Sequence, residues 1–202
     1  AFIRNYPEIY RMHKIKEFTY GTKSPIKQYN RNKLLWQDRS VDGIKTGHTE
    51  EAGYCLVASA IRDDMRLISV VMGADGEDSR AKASRVNLNY GFRFYETHNL
   101  YKGGDVITDV KVWKADTDTL ELTVKDDFYI TVPRGQYKKL ESLVEVDNKI
   151  IAPIKESDHQ GILKILLSNE TIASVPLLAK KSISKGNIFN QLKDEIHLML
   201  FD

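Results

Sequence analysis

The residues with the most evident chemical potential in this 202-residue chain are consecutive. Lys45, Thr46 and Gly47 close the run Val41-Asp42-Gly43-Ile44 and are followed by His48 and Thr49. On a strand lining a cleft, a lysine ammonium supplies fixed positive charge and a neighbouring hydroxyl donates to a carboxylate. A glycine beside them leaves room for a substrate backbone to lie along the strand. Backbone N–H groups at the strand's end can also serve an oxyanion. The set suits capture of a peptide's C-terminal carboxylate. Three residues match readily by chance, however, and the triplet alone reads more simply as a solvated lysine before a turn.

Such a strand cuts nothing without a nucleophile. Serine with a lysine three residues on, S-x-x-K, places a base one helical turn from the hydroxyl. The pattern occurs at Ser24–Lys27, Ser79–Lys82 and Ser182–Lys185, the first with Pro25 inside it, and S-x-N occurs nowhere. The single cysteine, Cys55, lies in an alternating apolar run and reads as a buried small residue rather than a nucleophile. It leaves no intrachain disulfide. His13, His48, His98, His159 and His197 show no metal-ligand spacing, so no metal is expected.

The elements that must position the triplet follow from periodicity. Residues 1–12 start on helix-like apolar residues without a cap, as a chain entered in mid-element, and Pro7 breaks or ends that helix. Residues 16–19 and 26–36 read as short strands and loops ending in Leu34-Leu35-Trp36. Strands are expected at 41–46, 54–60 and 65–73, with turns at 48–53 and at Arg62-Asp63-Asp64, which makes an antiparallel sheet. A helix over 79–96, with Ala83, Val86, Leu88, Tyr90 and Phe94 as its apolar face, packs on that sheet.

From about 104 to 180 the chain turns into short alternating segments about 8 to 12 residues apart, the pattern of a small β-sandwich or barrel. The tail, 187–202, places Ile188, Phe189, Leu192, Ile196, Met199 and Leu200 on one side of a helical wheel. Two readings stay open for it. The helix docks on its own domain or a neighbouring subunit, or it lies in a membrane interface, against which its lack of excess Lys and Arg counts.

Bulk composition narrows the class. Hydrophobic residues make up 42% of the chain, enough for a sizeable core in one large or two small domains. Thirty basic against 28 acidic residues give no bulk argument for nucleic acid. No run of about 18 apolar residues is present to span a membrane as a helix, and there is no signal-peptide pattern.

The surroundings of the triplet go further. NRNKLLW at 30–36, VDGIKTGHTEEAGYCLVASA at 41–60, MRLISVVMG at 65–73, YGFRFYE at 90–96 and PRG at 133–135, with the β-rich segment and the tail, resemble the low-molecular-mass penicillin-binding proteins. These are D-alanyl-D-alanine carboxypeptidases of the type-five and type-six kind, in which K-T-G works with S-x-x-K and S-x-N. The resemblance runs along essentially the whole chain. It implies an α+β fold in three parts. Residues 1–100 form the C-terminal part of a serine DD-peptidase or β-lactamase-like domain, an antiparallel sheet plus helix. Residues 101–186 form a small all-β domain, and 187–202 an amphipathic helix that anchors on the membrane surface.

The resemblance also implies roles. Lys45 orients the second-motif serine and favours the substrate carboxylate, Thr46 binds that carboxylate beside Gly47, and the His48 backbone N–H is half of the oxyanion hole. Arg31 and Arg80 sit where family members carry arginines near the cleft, though each also reads as an ordinary surface arginine. The implied partners are peptidoglycan pentapeptides, β-lactams, the N-terminal half of the same enzyme and the outer face of the cytoplasmic membrane, with no cofactor and no nucleic acid. In this family S-x-x-K lies far upstream of K-T-G, so none of the three occurrences fits. The expectation is a C-terminal half that is inert alone, with an apolar sheet face left uncovered. A non-catalytic spacer beside the wall and a β-lactamase-like hydrolase are the alternatives.

Overall fold

The computed structural model describes residues 1–147 and 149–200, the side chain of Leu200 excepted. It divides into two compact units, Ala1–Glu96 and Thr97–Asp202. The first opens with short helices α1 (Phe2–Asn5) and α2 (Pro7–Tyr10) and a 3-10 turn, Arg11–Lys14. Pro7 ends one helix and starts the next at its first position, where its missing N–H costs nothing. Strands β1 (Glu17–Tyr20) and β2 (Ile26–Tyr29) make an antiparallel hairpin, and α3 (Leu34–Gln37) leads into the central sheet. That sheet is β3 (Val41–Thr49), β4 (Gly53–Arg62) and β5 (Met65–Ala74), ordered β3-β4-β5.

Helix α4 (Glu77–Phe94) starts with two carboxylates, Glu77 and Asp78, suited to the positive end of its dipole. It packs on one face of the sheet. Leu56, Ala58 and Ala60 of β4, with Leu34, Leu35 and Val41, meet Ala81 and Leu88 there, flanked by Leu67 and Phe92. Burying a leucine in such a layer contributes about 2 kcal/mol. The opposite face of β5 leaves Ile68, Val70 and Met72 exposed, the uncovered apolar surface that the sequence led us to expect.

The second unit is nearly all β. It comprises β6 (Tyr95–Tyr101), whose first two residues precede the boundary, β7 (Val106–Trp113), β8 (Thr119–Thr123), β9 (Phe128–Pro133), β10 (Leu140–Val146), β11 (Ile150–Ile151), β12 (His159–Leu167) and β13 (Glu170–Ala179). A six-stranded sheet runs β10-β12-β13-β8-β7-β11, and β6 pairs with β9. All the six-stranded sheet's pairings are antiparallel except β11 with β7. The alternation Leu120, Leu122, Val124 and Leu163, Ile165 puts every second residue into one buried core with Ile130, Val132 and Leu177.

The unit ends in α5 (Ile188–Leu200). Asp194 accepts the Lys114 N–H at 2.6 Å, Glu195 pairs with the Lys114 ammonium, and Gln191 donates to the Gly186 carbonyl at 2.6 Å. Ile188, Phe189, Leu192, Ile196 and Met199 stay exposed. Phe201 and Asp202, included in the expected tail, lie outside the described residues. No described helix is long and apolar enough to cross a membrane.

Four expectations change. Leu34-Leu35-Trp36 belongs to a helix and not to a strand or loop, because both leucines turn into the core. Strand β3 runs on through Thr49, so the turn is only Glu50 to Ala52. The helix ends at Phe94, and Tyr95 already opens a strand. Its buried face is Arg80, Ala81, Ser84 and Leu88, while Val86, Tyr90 and Phe94 form an exposed stripe.

Candidate functional site

Strand β3 is an edge strand, and its outer side bounds a groove of about 680 Å³. Lys45, Thr46, Gly47, His48, Arg31 and Arg80 all line it, so the groove gathers every residue singled out in the sequence. Lys45, Gly47, His48 and Arg31 are exposed, and Thr46 is half-buried. The Lys45 ammonium donates to the Thr46 carbonyl. Around Gly47 there is free space: a Cβ there comes no closer than 3.8 Å to another atom, the Cβ of Cys55. The missing side chain therefore leaves room in the groove rather than relieving a clash. Cys55 itself is half-buried, its thiol turned to the Ala52 carbonyl at 3.4 Å.

Arg80 works differently from an exposed arginine. It is only 3% exposed. Its guanidinium donates to the Gly47 carbonyl at 3.0 Å and the Cys55 carbonyl at 3.4 Å, and reaches the Arg31 carbonyl at 3.5 Å and a Glu77 carboxylate oxygen at 3.4 Å. It also lies over the Tyr54 ring, 5.4 Å from its centroid. A buried charge persists only when it is paired and hydrogen-bonded, and these groups supply that. Arg80 thus ties the K-T-G strand to α4.

Three groove residues escaped the sequence reading: Gln28, Tyr54 and Glu77. Tyr54 is the cross-strand partner of His48, with ring centroids 3.9 Å apart. Hairpin register could have found it once the turn was set at three residues. Glu77 precedes Arg80 by one helical turn, the spacing of a helical ion pair. Gln28 carries no signal.

Two clusters brace the sheet end of β3. The Tyr10 hydroxyl donates to Asp42 at 2.5 Å, and Arg66 donates to Asp42 at 2.9 Å and to the Ser59 hydroxyl at 2.6 Å. Burial, with the Asp42 hydrogen bond, pushes the Tyr10 phenol above its ordinary value. Burial also pushes the Asp38 carboxyl up, but the Ser40 hydroxyl and N–H and the Arg62 guanidinium outweigh it and hold the group low.

The arrangement can bind an anion at a strand edge and present an extended backbone to it. Among the described residues no serine lines the groove. Among the described residues no cluster of His, Cys, Asp and Glu is placed to hold a metal.

Comparison with known proteins gives the family of both regions. Residues 1–76 match the D-alanyl-D-alanine carboxypeptidase family and residues 95–185 the penicillin-binding protein 5 C-terminal domain family. The D-alanyl-D-alanine carboxypeptidase DacA of Escherichia coli is 43% identical over 201 residues, 98% of this chain and 49% of that protein. DacC of the same organism is 39% identical over 96% of this chain and 48% of its own length. The crystal structure of penicillin binding protein 5 from Haemophilus influenzae superposes with a TM-score of 0.85 at 37% identity, over 91% of this chain and 54% of that one. The chain spans about half the length of the curated relatives it matches. With both regions matched in order, it belongs to the D-alanyl-D-alanine carboxypeptidases of the penicillin-binding protein 5 kind.

Proposed function

We propose that this chain forms the K-T-G wall of a serine-type D-Ala-D-Ala carboxypeptidase that trims the terminal D-alanine from peptidoglycan pentapeptides and is acylated by penicillin. Lys45 and Thr46 hold the substrate's terminal carboxylate, Gly47 lets its backbone approach, and the His48 N–H stabilises the oxyanion. Arg31 adds positive charge at the rim, and Arg80 holds the strand from within. The serine nucleophile and its lysine base come from an S-x-x-K motif of the full-length protein, with S-x-N beside it. The serine Oγ attacks the penultimate carbonyl carbon, D-alanine leaves with the proton, and water hydrolyses the acyl-enzyme. The observation that carries the reading is one groove holding Lys45, Thr46, Gly47 and His48 on a strand edge, in a chain of this family.

The two regions take different tasks in this proposal. The first hundred residues serve the chemistry, and 101–186 act as a β-domain that carries them away from the membrane. Helix α5 lies on the outer face of the cytoplasmic membrane, its exposed apolar side inserted and its polar side toward Lys114.

Fluorescent penicillin tests the reading. The full-length protein containing this chain should take the label on its serine, lose it at least about a hundredfold with Lys45→Ala, and release it slowly. Residues 1–202 alone should take none. Labelling of residues 1–202 alone would overturn the division of labour. No labelling of the full-length protein would leave a non-catalytic spacer, and fast release a β-lactamase-like hydrolase.

A further inference from the structure

The peptides just upstream of Lys45 are held by side chains from outside the sheet. Asn32, buried, donates its Nδ2–H to the Gly43 carbonyl at 3.0 Å, while its Oδ1 accepts the Leu34 N–H at 3.2 Å. The next carbonyl, Ile44, lies 2.8 Å from His13 Nδ1. A carbonyl only accepts, so Nδ1 carries the proton; the partner assigns the tautomer.

His13 reaches the strand because the 3-10 turn Arg11–Lys14 lies directly against it. A Cβ at Gly43 would meet the Tyr10 hydroxyl at 3.2 Å and the His13 Cβ at 3.3 Å, so glycine at 43 permits the approach. The imidazole is further fixed edge-on to Phe2, 5.6 Å between centroids, and against Tyr10 at 5.9 Å. Residues on an edge strand lack a ladder partner on one side, and a side chain that holds a β3 carbonyl adds a restraint from outside the sheet.

We propose that His13 is a positioning residue for the K-T-G triplet. By holding the Ile44 carbonyl it fixes the peptide plane that leads into Lys45, and with it the direction in which the ammonium and the Thr46 hydroxyl enter the groove. It touches no substrate and acts only through the strand. The inference rests on the carboxypeptidase reading and names a further residue on which that activity depends.

The test is stopped-flow acylation of the full-length protein by a fluorescent penicillin, with His13→Ala, His13→Asn and His13→Gln and a melting curve for each. Wild type is measured first. If it takes no label, the carboxypeptidase reading falls and this inference with it. With wild type labelled, His13→Ala should slow acylation at least about tenfold, since a misplacement of about 1 Å caused away from the chemistry can cost up to about a hundredfold. The pre-acylation dissociation constant should rise as well, since Lys45 and Thr46 hold the ligand's carboxylate. An asparagine amide sits where Nδ1 sits, and a glutamine amide where Nε2 sits. His13→Asn should therefore return within about twofold of wild type, and His13→Gln should not. Should the alanine variant not fold, the Asn and Gln pair still decides. Wild-type rates in His13→Ala or equal rates for the Asn and Gln variants would overturn the proposal. So would slowing that merely follows a lowered Tm.

Discussion

The two units handle their apolar residues in opposite ways. In the second, leucines and valines of β8 and β12 point alternately into a core that also takes in Ile130, Val132 and Leu177. In the first, one sheet face packs on α3 and α4 while the other shows Ile68, Val70 and Met72 to solvent, and α4 adds Val86, Tyr90 and Phe94. The K-T-G strand belongs to the unit with the open face. A closed core makes a domain that stands by itself; a half-covered sheet is a surface waiting for another layer. The difference fits the separate tasks proposed above for the two regions.

Calorimetry of the chain puts this contrast at most risk. Two transitions are expected, the lower from residues 1–96; a single cooperative transition would erase the distinction. Next in size is Leu163→Ala, which empties a fully buried site in the second unit and should cost about 3 kcal/mol. It should move only the upper transition; a shift of the lower one would break the independence of the cores. Gly53 in the first unit has φ +61° and backs onto Gly73, whose Cα lies 3.0 Å from where a Cβ would be. Gly53→Ala should lower the first transition by about 2 kcal/mol, and no change would mean the β3–β4 turn is not held by the sheet.

A pH titration separates the units more finely. Asp38 is held low in the folded first unit, so its contribution is present above its ordinary value of 3.8 and is lost as pH falls through the lowered folded value. The lower transition should weaken below about pH 4, and Asp38→Asn should flatten that dependence; an unchanged acid limb would contradict the assignment. The smallest effect is expected from Met72→Lys. At 73% exposure its replacement should stay within about 0.5 kcal/mol, whereas a loss of 2 kcal/mol or more would mean the face is covered in solution.

How much was legible in the sequence depended on period. The strands of the second unit, such as Phe128–Pro133 with its alternation of buried and exposed residues, were readable. The groove was readable too, because Lys45, Thr46 and Gly47 are contiguous and their neighbours carry a family's pattern. Helix α4 was readable as a helix but not by face. Its core side holds Arg80 and Ser84 while its apolar Val86, Tyr90 and Phe94 look outward, so hydrophobic periodicity pointed at the wrong stripe. Four residues around Leu34 are too few to show a period at all. Tyr54 and Glu77 depend on a three-residue turn and a helix start, and small errors in such boundaries hide them.

The carbonyls along β3 carry a last consequence. Asn32 holds Gly43, His13 holds Ile44, the Lys45 ammonium covers Thr46, and Arg80 holds Gly47. A bare strand edge invites any extended chain, including a second copy of itself, to extend the sheet and seed aggregates. Here four acceptors between Gly43 and Gly47 already meet side-chain donors, and a lysine stands at the rim. An intruding strand would have to displace charged or buried donors to pair there. Pairing with a second copy is thereby disfavoured, while the short anionic ligand proposed above would still meet an exposed Lys45.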